Sequence, residues 1–178
     1  MSYGVWDRVA HSLQVRRKLF VSYHHGGDQS YYDAFSTTFH DAYDVIYDNS
    51  LERRIDSDNV DYVMRRIRED FIAGSSCTVV LVGHATWGRK YVDWELMATL
   101  EKEHGLIGVQ LPTAPISATN LVTVPERLGD NIRSGFALWL SWQQLTASAV
   151  DLQRYVADAT ARSCSLIDNT RERRLRNA

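Results

Sequence analysis

From Cys77 to Gly83 the chain reads CTVVLVG, an almost unbroken apolar run. A strand can be apolar at successive positions only if both of its faces are covered, as they are in the middle of a parallel sheet. The stretch that follows, HATWGRKYVDWEL from His84 to Leu96, turns polar and then sets Val92, Leu96 and Leu100 at helical spacing. Buried strand, polar turn and helix make the repeating unit of open α/β sheets. Such sheets carry their ligand sites just beyond the carboxyl ends of the strands. Glu95 falls in the first turns of that helix, at the edge of the apolar stripe, neither in the core nor fully outside.

The unit recurs on either side. Lys18 to Tyr23 (KLFVSY) is a β-rich run that ends in His24-His25-Gly26-Gly27-Asp28, a tight turn in which paired glycines let backbone approach a ligand. A helix follows with Tyr31, Phe35, Phe39 and Ala42 near one face. Val45-Ile46-Tyr47 makes a second strand, and residues 48–58 a polar loop. Asp58 then caps a helix striped by Val60, Val63, Met64, Ile67 and Phe71 and ended by Gly74. Beyond helix 91–103 lie a fourth strand at 106–111, a loop bracketed by Pro112, Pro115 and Pro125, short helical content at 126–133, a last strand at 136–142 and a closing helix at 145–161.

A chain of 178 residues supports one sizeable core rather than two. The expected fold is therefore a single α/β domain, a doubly wound parallel sheet of about five strands in the flavodoxin-like order 2-1-3-4-5. Its boundaries are 17–162. Residues 1–16 form an extension, a short helix with Val5, Trp6, Val9 and Leu13 on one face. Residues 163–178 form an arginine-rich tail, read as a frayed or solvated end.

Composition narrows the function. A formal charge of −2 argues against a dedicated nucleic-acid binder. The two cysteines, Cys77 and Cys164, have no metal-ligand spacing, so no metal site is expected. No apolar run reaches the roughly 18 residues of a membrane span and no signal-peptide core opens the chain, so a cytoplasmic protein without membrane contact is expected. P-loop, GxGxxG, GxSxG and HExxH patterns are absent.

In the 2-1-3-4-5 order the turn after Tyr23 lies beside the turn after Gly83, so His24, the glycine pair and the Glu95 segment converge on one cleft. Glycosidases commonly need two carboxylates, because the leaving oxygen must be protonated. The nicotinamide of NAD+ leaves as a neutral base from an already cationic state, so one carboxylate that stabilises an oxocarbenium-like ribose suffices. Aromatic side chains would stack on the bases. Arg89, Lys90 and backbone N–H groups near Gly26 and Gly27 would hold the pyrophosphate. The same residues also have plain readings. Glu95 serves as a solvated helix former, Trp87, Tyr91 and Trp94 as packing, His24 and His25 as turn residues, and Arg89-Lys90 as a solvated pair.

Three segments, KLFVSYHHGGDQSYYDAF, CTVVLVGHATWGRKYVDWELMATLEK and LIGVQLP, resemble in order the TIR-like domain family of Thoeris antiphage-defence ThsB proteins. The likeness runs from about Arg17 to Trp142, and its most specific part is RKYVDWE. PERLGDN and FALWLSW share it less diagnostically. The resemblance implies a TIR-like fold with a catalytic glutamate at Glu95 and Tyr91 where such enzymes usually carry Trp. It places a first-strand aromatic at Phe20, followed towards the cleft by Ser22, Tyr23 and His24. It also implies NAD+ as substrate with no further cofactor and a cyclic ADP-ribose-type product that reaches a separate effector, and it leaves open a phage-derived trigger and a homo-oligomer. Two other classes stay open: a non-catalytic nucleotide-sensing or assembly module, and an enzyme acting on another nucleoside.

Overall fold

The computed structural model describes residues 17–47 and 59–178. Five strands form one parallel sheet in the order β2-β1-β3-β4-β5. They are β1 (Arg17–Ser22), β2 (Tyr43–Tyr47), β3 (Ser75–Val82), β4 (Gly105–Gln110) and β5 (Leu138–Ser141). This is the expected doubly wound α/β arrangement, with β1 and β3 adjacent and the chain reversing direction across the sheet between them. The expected N-terminal helix and the 48–58 loop, with its Asp58 cap, lie outside the described residues.

Alternation along the strands sorts the core into two faces. Leu19, Val21, Cys77, Val79, Leu81, Ile107 and Val109 bury against α1 (His25–Phe39) and α6 (Ala149–Thr160). On the other face Val80, Val82 and Leu106 pack with Val92, Leu96 and Leu100 of α3 (Lys90–Glu101) and Leu128 of α4 (Glu126–Arg133). There, too, Phe20 joins Val63 and Met64 of α2 (Val60–Arg66) and Trp94 and Ala98 of α3. Burial of Cys77 pushes its thiol pKa up and leaves it a packing residue. None of the described helices is long and apolar enough to cross a membrane.

Several local expectations shift. Asn59 caps α2, its side chain accepting from the Tyr62 N–H at 3.1 Å. That helix continues as a π-helical segment over Ile67–Ile72. The wider turn brings Ile72, five residues on, into the core with Ile67. Gly74 has φ +86, the left-handed conformation a helix-ending glycine adopts. The last strand stops at Ser141, which caps a short helix, α5 (Trp142–Leu145), through a reciprocal Ser141–Gln144 capping box. Ser148 then caps α6, so the closing helix begins later than periodicity alone suggested.

The largest correction concerns the C-terminal segment, which is neither frayed nor merely solvated. After α6 the chain passes from one face of the sheet to the other by the N-terminal end of β4. Gly105 there leaves no room for a side chain against Ala159, and Arg162 Nη1 donates to Gly135 O. The chain then runs antiparallel to α3 in the groove between α3 and α4. It starts at Asp168, bonded to Asn131, and ends at Ala178, whose N–H donates to Gly88 O at 2.9 Å. Asp93 and Arg127 form the anchor beneath it.

Candidate functional site

Because β1 alternates, Phe20 and Ser22 face α3 while Tyr23 belongs to the α1 side. Ser22 Oγ donates to Glu95 Oε2 at 2.5 Å. That contact joins the last residue of β1 to the second turn of α3, across the β1–β3 switch point. Glu95 is only 6% exposed, so it sits inside the structure and not at the rim where the apolar stripe put it. Its helix is covered by the sheet on one side and by the C-terminal segment on another, which leaves little of α3 in water. The fold of α3 around Glu95 is itself pinned. Thr99 Oγ1 donates to Glu95 O and also contacts Thr78 Oγ1 of β3, both at 2.8 Å.

The other sequence-selected residues separate into groups. Phe20 is fully buried and packs with Val63, Ile67 and Trp94. Tyr23 stacks on Tyr32 with ring centroids 4.9 Å apart and donates its hydroxyl to Gln29, on the face away from Glu95. Gly26 and Gly27 lie inside the first turn of α1, not in a turn ahead of it. Their missing side chains make room for the His24 imidazole, whose nitrogens would lie within 3.1–3.2 Å of added Cβ atoms. Trp87 is 37% exposed in a single 3₁₀ turn, Thr86–Gly88, ahead of α3. Lys90 Nζ sits 5.0 Å over the Tyr91 ring and 5.6 Å over the Trp94 ring, while Tyr91 meets Trp94 edge to face. The Arg89 Nε is buried with no hydrogen-bond partner among the described residues.

Sequence reasoning passed over Asp28. It is 2% exposed in the first turn of α1. Its carboxylate accepts from Thr86 Oγ1 at 3.1 Å and Thr113 Oγ1 at 3.5 Å, and Thr86 Oγ1 in turn accepts from the Gly83 N–H. One buried carboxylate therefore ties α1 to the turns after β3 and β4, along the carboxyl edge of the sheet. Spacing could not reveal it, since its partners lie 58 and 85 residues away. A Cβ at Gly83 would stand 2.0 Å from Asp28 Oδ1, so Gly83 is the space the carboxylate occupies. Gly83→Ala is expected to cost about 1–3 kcal/mol of unfolding free energy, read from urea denaturation.

Burial pushes the Asp28 pKa above its ordinary 3.8, against the opposing pulls of the Thr86 hydroxyl, His24, the Thr113 hydroxyl and His84. The fold thus favours the protonated form. Its contribution to stability is complete below pH 3.8 and is lost as pH rises through the raised value. Denaturation midpoints from about pH 3.5 to 7 should therefore fall less steeply with rising pH in Asp28→Asn than in the unaltered protein.

Among curated proteins no match to the chain is found. The sequence model of the family described as "Thoeris protein ThsB, TIR-like domain" matches residues 20–116. That span reaches from β1 through Asp28, Gly83 and Glu95 to the loop after β4, and stops short of α4 and the C-terminal segment. It takes in more than half of the chain, and on that footing this protein belongs to the ThsB TIR-like family.

Proposed function

We propose that the protein cleaves the nicotinamide–ribose bond of NAD+ and closes the product into a cyclic ADP-ribose-type nucleotide, with Glu95 as the catalytic residue. The observation that carries this reading is the buried Glu95 carboxylate, held by Ser22 at the carboxyl end of β1 where a doubly wound sheet receives ligands. The C1′–N bond breaks with its electron pair leaving on nicotinamide, so no acid is required. The ionised carboxylate, fixed by the Ser22 hydroxyl, offsets positive charge developing on the ribose. A nucleophile on the adenine half of the same molecule, a ring nitrogen or a hydroxyl, then bonds to C1′ and releases its proton to solvent. If water arrives instead, it loses a proton and linear ADP-ribose results. Low exposure at Glu95 favours closure by restricting water.

Trp87, partly exposed beside the helix, offers a stacking face for a base. Arg89 and Lys90 supply cationic groups for the pyrophosphate, and Arg89 has an unspent buried donor among the described residues. Asp28 already takes up the start of α1, so the anion falls to the α3 end of the cleft rather than to the glycine pair. The product nucleotide would act on a separate effector after a phage-derived trigger.

A second reading, a non-catalytic nucleotide-sensing or assembly module, is favoured by the same low exposure, because the Ser22–Glu95 bond could simply tie α3 to β1. Cells carrying either the unaltered protein or Glu95→Gln, infected and analysed for nucleotides by mass spectrometry, separate the two. Nicotinamide release with a cyclic product in the first cells alone supports the enzyme. Equal nucleotide profiles in both overturn it.

A further inference from the structure

The C-terminal segment is gripped in an unusual way. None of residues 161–178 is buried, whereas the groups beneath them are: Arg127 and Asn131 at 0% exposure, Trp94 at 4% and Asp93 at 6%. Those groups bond mainly to the segment's backbone. Asn131 Nδ2 donates to Asp168 O and its Oδ1 accepts from the Asp168 N–H. Arg127 Nη2 donates to Arg171 O and Glu172 O, Trp94 Nε1 donates to Arg174 O at 2.7 Å, and Asp93 Oδ2 accepts from the Arg174 N–H at 2.8 Å.

Side chains of the segment add to this, Arg173 among them, whose guanidinium lies 5.8 Å over the Trp94 ring and 3.8 Å from Asp61. Asn169 accepts from Arg127 Nη1 at 2.6 Å and donates to Met97 O, while Asn177 accepts from the Lys90 N–H. Arg171 and Arg174 meet the carboxylates of Asp130 and Glu126. Leu175 is 71% exposed and contributes no core packing.

A row of buried polar side chains that pairs with the main chain of an extended strand is how peptide-binding grooves work: backbone bonds give affinity and a few side chains give selectivity. When the segment leaves, Arg127 and Asp93 still satisfy each other through Nε–Oδ1 at 2.9 Å, so opening does not strand a buried charge. A segment in which no residue is wholly buried, and in which only the Arg173 Nε is tucked away as its guanidinium lies over the Trp94 ring, also belongs among the parts of a fold that open without global unfolding.

We propose that the α3–α4 groove is a peptide-binding site whose resident occupant, residues 168–178, is a displaceable strap over the helix that carries Glu95. The ligand that fits is an extended chain with asparagine at the position of Asn169 and arginines at those of Arg171 and Arg174. This assignment is independent of whether NAD+ is the substrate.

The test keeps the full chain. A protease site is placed in the exposed stretch 163–166, the folded protein is cut there, and a fluorescent synthetic peptide of residues 167–178 is added. Labelled peptide should enter the cut protein and bind the uncut protein at least tenfold more weakly, because the tethered strap occupies the groove. In the peptide, Arg174→Pro removes the N–H that Asp93 accepts and should weaken binding about tenfold, whereas Leu175→Ala should leave it unchanged. Retention of the cut strap against millimolar peptide would overturn the proposal. So would its release only together with loss of far-ultraviolet dichroism, or a vacated groove that ignores the labelled peptide.

Discussion

Glu95→Gln is expected to lower the proposed NAD+ cleavage by about 100–1,000-fold while leaving the fold intact. The amide keeps the volume and one carbonyl oxygen able to accept from Ser22 Oγ, so the link from α3 to β1 survives. What disappears is the negative charge, and removal of one preorganised electrostatic group from an enclosed site costs factors of this size. The loss should fall on kcat and not on KM, because the interaction develops only as positive charge builds on the ribose. Nicotinamide release under saturating NAD+ measures it, and an unshifted thermal midpoint certifies that the fold persists. Turnover equal to that of the unaltered protein would remove Glu95 from the mechanism.

Arg127→Ala is expected to be the most destabilising single change outside the hydrophobic core. Arg127 is fully buried, and its guanidinium holds both Asp93 oxygens, Asn169 and two carbonyls of the strap. Truncation leaves the Asp93 carboxylate buried opposite an apolar stub. Breaking a buried pair in this way costs about 3–5 kcal/mol, or about 6–20 °C in thermal midpoint for a domain of this size. The double variant Asp93→Asn with Arg127→Met should recover part of the loss, since it strands no charge. It should not recover all of it, because methionine cannot donate to the strap carbonyls. Denaturation of the unaltered protein, Asp93→Asn, Arg127→Met and the double variant gives the coupling energy, and strict additivity would show that the pair is not the anchor.

The sheet was readable because parallel strands covered on both faces must be apolar at successive positions, and CTVVLVG leaves few alternatives. Strand order followed from the alternation with helices. The depth of Glu95 was not readable. A stripe of Val92, Leu96 and Leu100 reports the side of α3 that meets the sheet, and carries no sign that Ser22 at the end of β1, 73 residues away, reaches across to hold the Glu95 carboxylate inside. The strap itself was misread for a related reason. Its main chain does most of the binding, and main chain is the same at every position, so an arginine-rich run looked like solvated surface. The Asp93–Arg127 pair spans 34 residues and follows no helical or strand period. The glycine pair was misplaced because Gly26 and Gly27 suit a turn as well as they suit a helix start crowded by the His24 ring.

The direction in which the strap travels has a practical side. It delivers Ala178 to Gly88, one residue short of the turn that opens α3, with its carbonyl oxygen 3.0 Å from where a Gly88 Cβ would stand. Any chain that follows Ala178, an added histidine tag for instance, would leave the groove beside Gly88, next to the start of α3. A purification handle placed after it is therefore a perturbation in its own right, and measurements made with it attached would report on the handle as well as on the protein.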